Sequence, residues 1–173
     1  MDKQTDIFLS ILESHKGIIY KVANSYCKEE EDRKDLIQEI IIQLWQSFDK
    51  YDSRFKWSTW IYRIALNTSI SFYRKSKIRN EKTVTLNSVI KSSLEEEEQT
   101  EMDAELVILQ KLIRELKEIE RALIILYLDG KSQKEISEIL GITPTNISTK
   151  IARIKKTLKK QFSSLKNQNY GGQ

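Results

Sequence analysis

The sequence predicts an all-α protein made of two small helical domains joined by a flexible linker. Three observations carry that expectation. Apolar residues recur at spacings of three and four along most of the chain, which is the period of an amphipathic helix. The 173 residues include one proline and five glycines, three of the glycines at or beyond Gly141, so little interrupts helical backbone before the last third. Strand-like alternation is confined to Thr83–Val89, a stretch too isolated to build a sheet.

The first domain is expected over residues 1–80 as three or four packed helices. Ile7–His15 is short and amphipathic, and Ile18–Cys27 continues in the same manner. Glu29–Asp32 and Asp35 favour a helix start, because carboxylates suit the positive end of a helix dipole. Leu36, Ile37, Ile40, Ile41, Leu44, Trp45 and Phe48 then repeat in pairs, the wide apolar face of a central core helix. Asp49–Lys56 breaks the pattern with alternating charges and aromatics. Ser58 or Thr59 is placed to cap the next helix, which turns Trp60, Ile61, Ile64 and Ala65 inward and ends in Phe72-Tyr73-Arg74-Lys75.

Polar sequence sets in at Ser76, and residues 81–103 form an acidic linker containing the Glu95–Glu98 run. With few residues that could bury, it is expected to be largely disordered in the free protein. The second domain, 104–165, opens with Leu106, Leu109, Leu112, Ile113 and Leu116 at helical spacing. Ile119–Leu128 is a dense apolar helix, and residues 166–173 read as a polar, Gly-ended tail without structure.

Lys131–Lys160 is the most informative stretch. Ser132 followed by Glu135 is a capping box, in which each side chain satisfies a backbone donor of the first turn. That helix carries Ile136, Ile139 and Leu140 to Gly141, the residue best able to take the left-handed conformation at a helix end. Thr143 is a second N-cap, with Pro144 at the first helical position, where its missing N–H is no loss. Two helices joined by a tight glycine turn have the form of a helix-turn-helix. In the second helix Ile147, Ile151, Ile154 and Leu158 form one apolar seam. Thr145, Asn146, Ser148, Thr149, Lys150 and Arg153 are left off the seam, small polar and basic groups able to contact base edges and phosphates in a major groove. From Pro144 to Gln173 there are seven Lys or Arg residues and no Asp or Glu, as binding to a polyanion requires.

Charge divides the chain. Residues 1–80 carry a net +3, residues 81–103 carry −5 and residues 104–173 carry +6, giving +4 overall. Two basic modules separated by an acidic tether suggest two contacts with one polyanion. In the first module Arg74, Lys75, Lys77 and Arg79 cluster near Trp57, Tyr62 and Tyr73. Cations that track a backbone and rings that receive unstacked bases suit a single-stranded nucleic acid; Trp60 and Phe72 stand at core spacing instead.

The same composition excludes other classes. The single cysteine, Cys27, rules out an internal disulfide or a multi-cysteine zinc site and reads as a small core residue. His15 is the only histidine, so no histidine-based metal or catalytic cluster is available, and no phosphate loop is present. No cofactor or enzymatic activity is expected. With no signal-like segment and nothing near the ~20 apolar residues of a membrane span, the expectation is a soluble, cytoplasmic protein without membrane insertion.

Asp35-Leu-Ile-Gln38-Glu39, Leu44-Trp45 and Trp57-Ser-Thr-Trp60-Ile-Tyr-Arg63-Ile-Ala65-Leu-Asn67 resemble the second conserved region of bacterial sigma factors. Ile119–Leu158 resembles their fourth region, and the presence of these two regions alone is the layout of the extracytoplasmic-function subgroup. The resemblance implies binding to core RNA polymerase and promoter DNA. It places Asp35, Gln38 and Glu39 on the face that docks on the polymerase clamp, and Trp57 in the Asp49–Thr59 loop that captures an extruded base of the −10 non-template strand. Arg63, Asn67 and Arg74 match polar positions following the same strand, and the helix from Pro144 matches the reader of the −35 element. Many relatives are held inactive by an anti-sigma protein, which makes one a candidate partner.

Departures from the family pattern are local. Ser71 stands where Asp is frequent, and Leu116 is followed by Lys117 where a Leu-Pro pair is usual. Thr145-Asn-Ile-Ser-Thr-Lys150 replaces the usual Gly-Thr-Val-Lys-Ser-Arg, so the −35 sequence cannot be borrowed from relatives. The alternative reading is a stand-alone helix-turn-helix regulator with a helical dimerising or sensing domain. The Asp35–Asn67 signature has no role in that design.

Overall fold

Long apolar-faced runs with few breakers become long helices. The computed structural model describes residues 3–83 and 101–170, and every regular element among them is helical. In chain order these are α1 (Lys3–Tyr26), α2 (Glu30–Ser47), a 3-10 turn (Phe48–Lys50), α3 (Trp57–Thr83), α4 (Glu101–Glu115), α5 (Glu118–Leu128), α6 (Gln133–Leu140) and α7 (Pro144–Tyr170). Most of the expected linker, and all but the first residue of Thr83–Val89, lie outside the described residues.

The N-terminal module packs α1, α2 and α3 around Phe8, Ile19, Val22, Ala23, Leu36, Ile40, Leu44, Trp60, Ile61 and Leu66. α1 corrects the expectation of two short helices, because it runs unbroken through Gly17. A mid-helix glycine costs only about 1 kcal/mol, which the burial of residues on both sides outweighs. Thr59 is buried rather than capping α3, whose first intrahelical acceptor is the carbonyl of Lys56, 3.1 Å from the Trp60 amide. On α2 only Leu36, Ile40 and Leu44 are buried, while Trp45, expected in the core, is 44% exposed.

In the C-terminal module α5 is the central helix, with Ala122 through Leu126 buried against Leu112, Ile136, Ile139 and Ile147. Its end is a Schellman motif: Gly130 at φ 70° donates to the Tyr127 carbonyl and Lys131 donates to that of Leu126. The capping box forms as expected, with the Glu135 amide 3.2 Å from Ser132 Oγ and the Ser132 amide 2.9 Å from Glu135 Oε2. Gly141 stops α6 at φ 68°. α7 then runs to Tyr170, so residues 166–170 are helical and not an unstructured tail. Phe162 and Leu165 pack on the core, and Lys166 pairs with Glu105 of α4 at 2.5 Å.

The two modules also pack on each other, α3 against α5 and α6, and α1 against α4. At their junction lies Arg121, a cation only 1% exposed. Its guanidinium lies 4.9 Å from the Tyr26 ring and 4.7 Å from the Tyr73 ring. It donates to the Leu116 carbonyl at 3.0 Å, the Ser25 carbonyl at 3.3 Å and the Arg114 carbonyl. These carbonyls close α1 and α4, so the charge is compensated by the negative ends of two helix dipoles rather than by a carboxylate. Among the described residues no helix is long and apolar enough to cross a membrane.

Candidate nucleic-acid interface

α7 divides as its spacing predicts. Ile147, Ile151, Ile154 and Leu158 are 0–8% exposed and seat the helix on α5 and α6. Thr145, Asn146, Ser148, Thr149, Lys150 and Arg153 are all exposed on the other side. Ser148 and Thr149 turn their hydroxyls to the carbonyls of Pro144 and Thr145 at 3.3 and 3.1 Å, leaving oxygen lone pairs outward. The result is a short polar row with basic residues behind it, on a helix whose register is fixed by its seam.

α3 carries a second row. Arg63, Asn67, Ser71 and Arg74 fall at i, i+4, i+8 and i+11, one stripe along the helix. Asn67 and Ser71 are exposed and border an open cleft of about 420 Å³ with Lys75, Glu39 and Gln43. Arg63 lies 5.0 Å above the Phe55 ring and donates to the Glu138 carbonyl at 2.5 Å, while Arg74 pairs with Glu118 at 3.3 Å.

The loop before α3 is held by its own contacts. The Tyr51 hydroxyl donates to the Phe55 carbonyl at 2.5 Å, and Asp52 accepts from the Arg54 guanidinium at 2.6–3.0 Å. That pairing holds the Asp52 carboxyl below its usual range. Trp57 is half-buried, stacked on Tyr51 at 3.4 Å between centroids and edge-on to Trp60 at 5.6 Å. It extends an aromatic cluster that runs through Phe48 to Trp45 and Phe8.

Two residues considered for base stacking are placed differently. Tyr62 is fully buried, its hydroxyl donating to Asp129 and its ring 5.4 Å from Lys131 Nζ. Burial, with the Asp129 carboxylate beside it, pushes its phenol far above the usual range. Tyr73 is half-buried against Arg121 and Tyr26. Trp57 alone of the three stands at the loop. Cys27 is a core thiol pushed up to about 11 by burial.

α2 presents Asp35 and Gln38 exposed and Glu39 half-buried, the last accepting from Gln43 at 3.0 Å. A carboxylate–amide stripe open to solvent, with Lys75 and Arg79 of α3 along one side, suits a partner surface rather than the interior.

Residues 11–78 match Sigma-70 region 2, and residues 106–158 match Sigma-70, region 4. The ECF RNA polymerase sigma factor SigW of Bacillus subtilis (strain 168) is 29% identical over 170 residues, spanning 92% of this chain and 91% of SigW. SigZ of the same organism is 32% identical over 126 residues, spanning 72% of this chain and 69% of SigZ. The chain belongs to the extracytoplasmic-function sigma factors. The solved structure of the sigma factor RpoE from Bartonella quintana, in complex with the anti-sigma factor NepR, shares this sigma fold. It matches at TM-score 0.66 and 19% identity over 94% of this chain and 98% of RpoE.

In this sigma factor the matched regions coincide with the two modules, and the acidic tether falls between them. Two features differ from or go beyond the sequence reading, in which Trp45 belongs to the core face of α2. Ile42 and Trp45, 47% and 44% exposed, continue the α2 stripe from Asp35 and Gln38 at helical spacing. The signal for them was present, because the apolar run on α2 is wider than one buried face needs. Arg121, set directly before the apolar run Ala122–Leu126 of α5, was the visible sign of the junction between modules.

Proposed function

We propose that this sigma factor divides promoter recognition among three surfaces. Thr145, Asn146, Ser148, Thr149, Lys150 and Arg153 read the −35 duplex in the major groove. Trp57, Arg63, Asn67, Ser71 and Arg74 hold the melted −10 non-template strand. Asp35, Gln38 and Glu39, joined by Ile42 and Trp45, dock on core RNA polymerase. The observation that carries the reading is α7, whose apolar seam is buried while its whole polar row faces outward on a helix without acidic residues.

No chemistry is required of the chain itself. Unpairing costs about 1–2 kcal/mol per base step and is offset by base capture and stacking. Each module alone binds DNA weakly and with steep salt dependence. Polymerase joins them, making the second contact intramolecular. We assign the chain to the cytoplasm, and an anti-sigma protein is the third partner we assign to it, on the precedent of RpoE with NepR. A stand-alone regulator would leave the α2 and α3 stripes unused.

Run-off transcription with purified core polymerase on fragmented genomic DNA tests the proposal. New start sites and co-elution with core polymerase are expected; absence of both would overturn it.

A further inference from the structure

An open cleft of about 520 Å³ lies between α1, α2 and α4, away from the surfaces assigned above. Three cations face it, Lys21, Arg33 and Arg114, beside the amides of Asn24 and Gln110 and the apolar Ile113, and no carboxylate lines it. Lys21 is paired with Asp129. Arg33 and Arg114 are half-buried, yet neither guanidinium has a hydrogen-bond or ion-pair partner among the described residues. Arg114 also borders a neighbouring cleft that holds Glu29, Asp32 and Glu115, and it pairs with none of them.

The ends of α1 and α4 beside the cleft would ordinarily oppose an anion, because last-turn carbonyls carry the negative end of a helix dipole. Here the Ser25 and Arg114 carbonyls are turned to the Arg121 guanidinium, so both are covered by a further positive charge. A lone surface arginine needs no ligand. Two that give up hydration to one cleft without receiving a carboxylate are different, since each presents a planar fork of donors that matches phosphate oxygens.

We propose that this cleft binds a small anion carrying two or more phosphates, with Arg33 and Arg114 as its forked donors and Lys21 as a point charge. Two forks and an ammonium offer more donors than a single phosphate can accept, and the volume lies in the range of small-molecule sites. Because the walls come from both modules, the bound anion bridges α2 to α4 and stabilises their junction.

Isothermal titration calorimetry of the full chain with inorganic pyrophosphate tests the site, with orthophosphate and sulfate at matched ionic strength as comparisons. Pyrophosphate should bind at a single site and about tenfold more tightly than either. Arg33→Gln and Arg114→Gln should each weaken it about tenfold or more, with helical circular dichroism and duplex DNA affinity unchanged. Asn24→Asp places a carboxylate in the cleft at an exposed position and should also weaken binding, which serves if the arginine variants lose their fold. Pyrophosphate at a hundredfold excess over Kd should raise Tm by about 5 °C or more. A nucleoside diphosphate that binds more tightly than pyrophosphate identifies the ligand as a nucleotide, whereas equal or lower affinity shows that the phosphates alone are read. Binding no tighter than that of sulfate, or binding that survives both arginine variants, overturns the proposal. Loss of binding on Lys150→Ala with Arg153→Ala would move the site to α7 and overturn it as well. A short single strand that depends equally on Arg33 and Arg114 would assign the cleft to nucleic acid and refute the small-anion reading.

Discussion

Arg121→Ala is the substitution on which the structure makes its largest claim. The guanidinium is 1% exposed, serves three carbonyls and lies between two tyrosine rings. Hydrogen bonds to a charged group contribute about 1.5–3 kcal/mol each, but much of that offsets the cost of desolvating the cation itself. Each ring contact adds about 0.5–2 kcal/mol. A net loss of about 3–4 kcal/mol is therefore expected, in the range found when one member of a buried ionic contact is removed. For a chain of this size that lowers Tm by about 10 °C. Urea denaturation followed at 222 nm measures it. Arg121→Lys should recover less than half, since one ammonium cannot span three carbonyls and two rings. A cycle with Tyr73→Leu should give a coupling of about 1 kcal/mol. A total loss under about 1 kcal/mol, or no coupling, would refute the account of Arg121 as the junction's central contact.

Gly17→Ala should stabilise the chain by about 0.5–1 kcal/mol, because Gly17 is mid-helix and an added Cβ meets nothing within 4 Å; a lower urea midpoint would contradict this. Asn146→Ala or Arg153→Ala should weaken promoter duplex binding by about 1–3 kcal/mol with core polymerase binding intact, and Asp35→Arg should do the reverse, as gel shift and co-elution would show. Acid should loosen the junction. Glu118 is held below its usual range by its own amide and Arg74. Burial opposes ionisation of Asp129, but Lys21 and Tyr62 prevail and its value falls as well. Glu135 is lowered by the Ser132 amide and hydroxyl. Depressed carboxyls contribute stability that is complete above the ordinary range near about pH 4 and is lost as pH falls through the lowered values. The urea midpoint should thus change little from these groups between neutral pH and about pH 5, then fall; an early decline would count against the pairs.

Local signals were the legible ones. The capping box, Gly141 and the seam from Ile147 to Leu158 are decided within a few residues, so spacing was sufficient to place the exposed polar row of α7. Errors arose where a distant residue decides. Tyr62 looked available because nothing near it in sequence covers it, yet Asp129 and Lys131 do. Residues 166–170 looked polar and unsupported until Glu105 and the anchored Phe162 and Leu165 gave them a neighbour. Gly17 and Trp45 show the two limits of periodicity. A single weak helix former does not end a helix held from both sides, and an apolar residue on a wide face need not be buried.

Arg121 also bears on how this protein can be recombined. It is anchored to Arg114 and Leu116 within its own module, so folding of α4 and α5 presets its guanidinium before the other module arrives. Its remaining partners, Ser25, Tyr26 and Tyr73, are spread over two helices of that other module. A chimaera joining this C-terminal half to the N-terminal half of a relative keeps the cradle of this cation only where that half supplies aromatic rings at positions 26 and 73. Positions 26, 73 and 121 therefore form a set to be exchanged together, whereas the carbonyl at position 25 is backbone that any residue supplies.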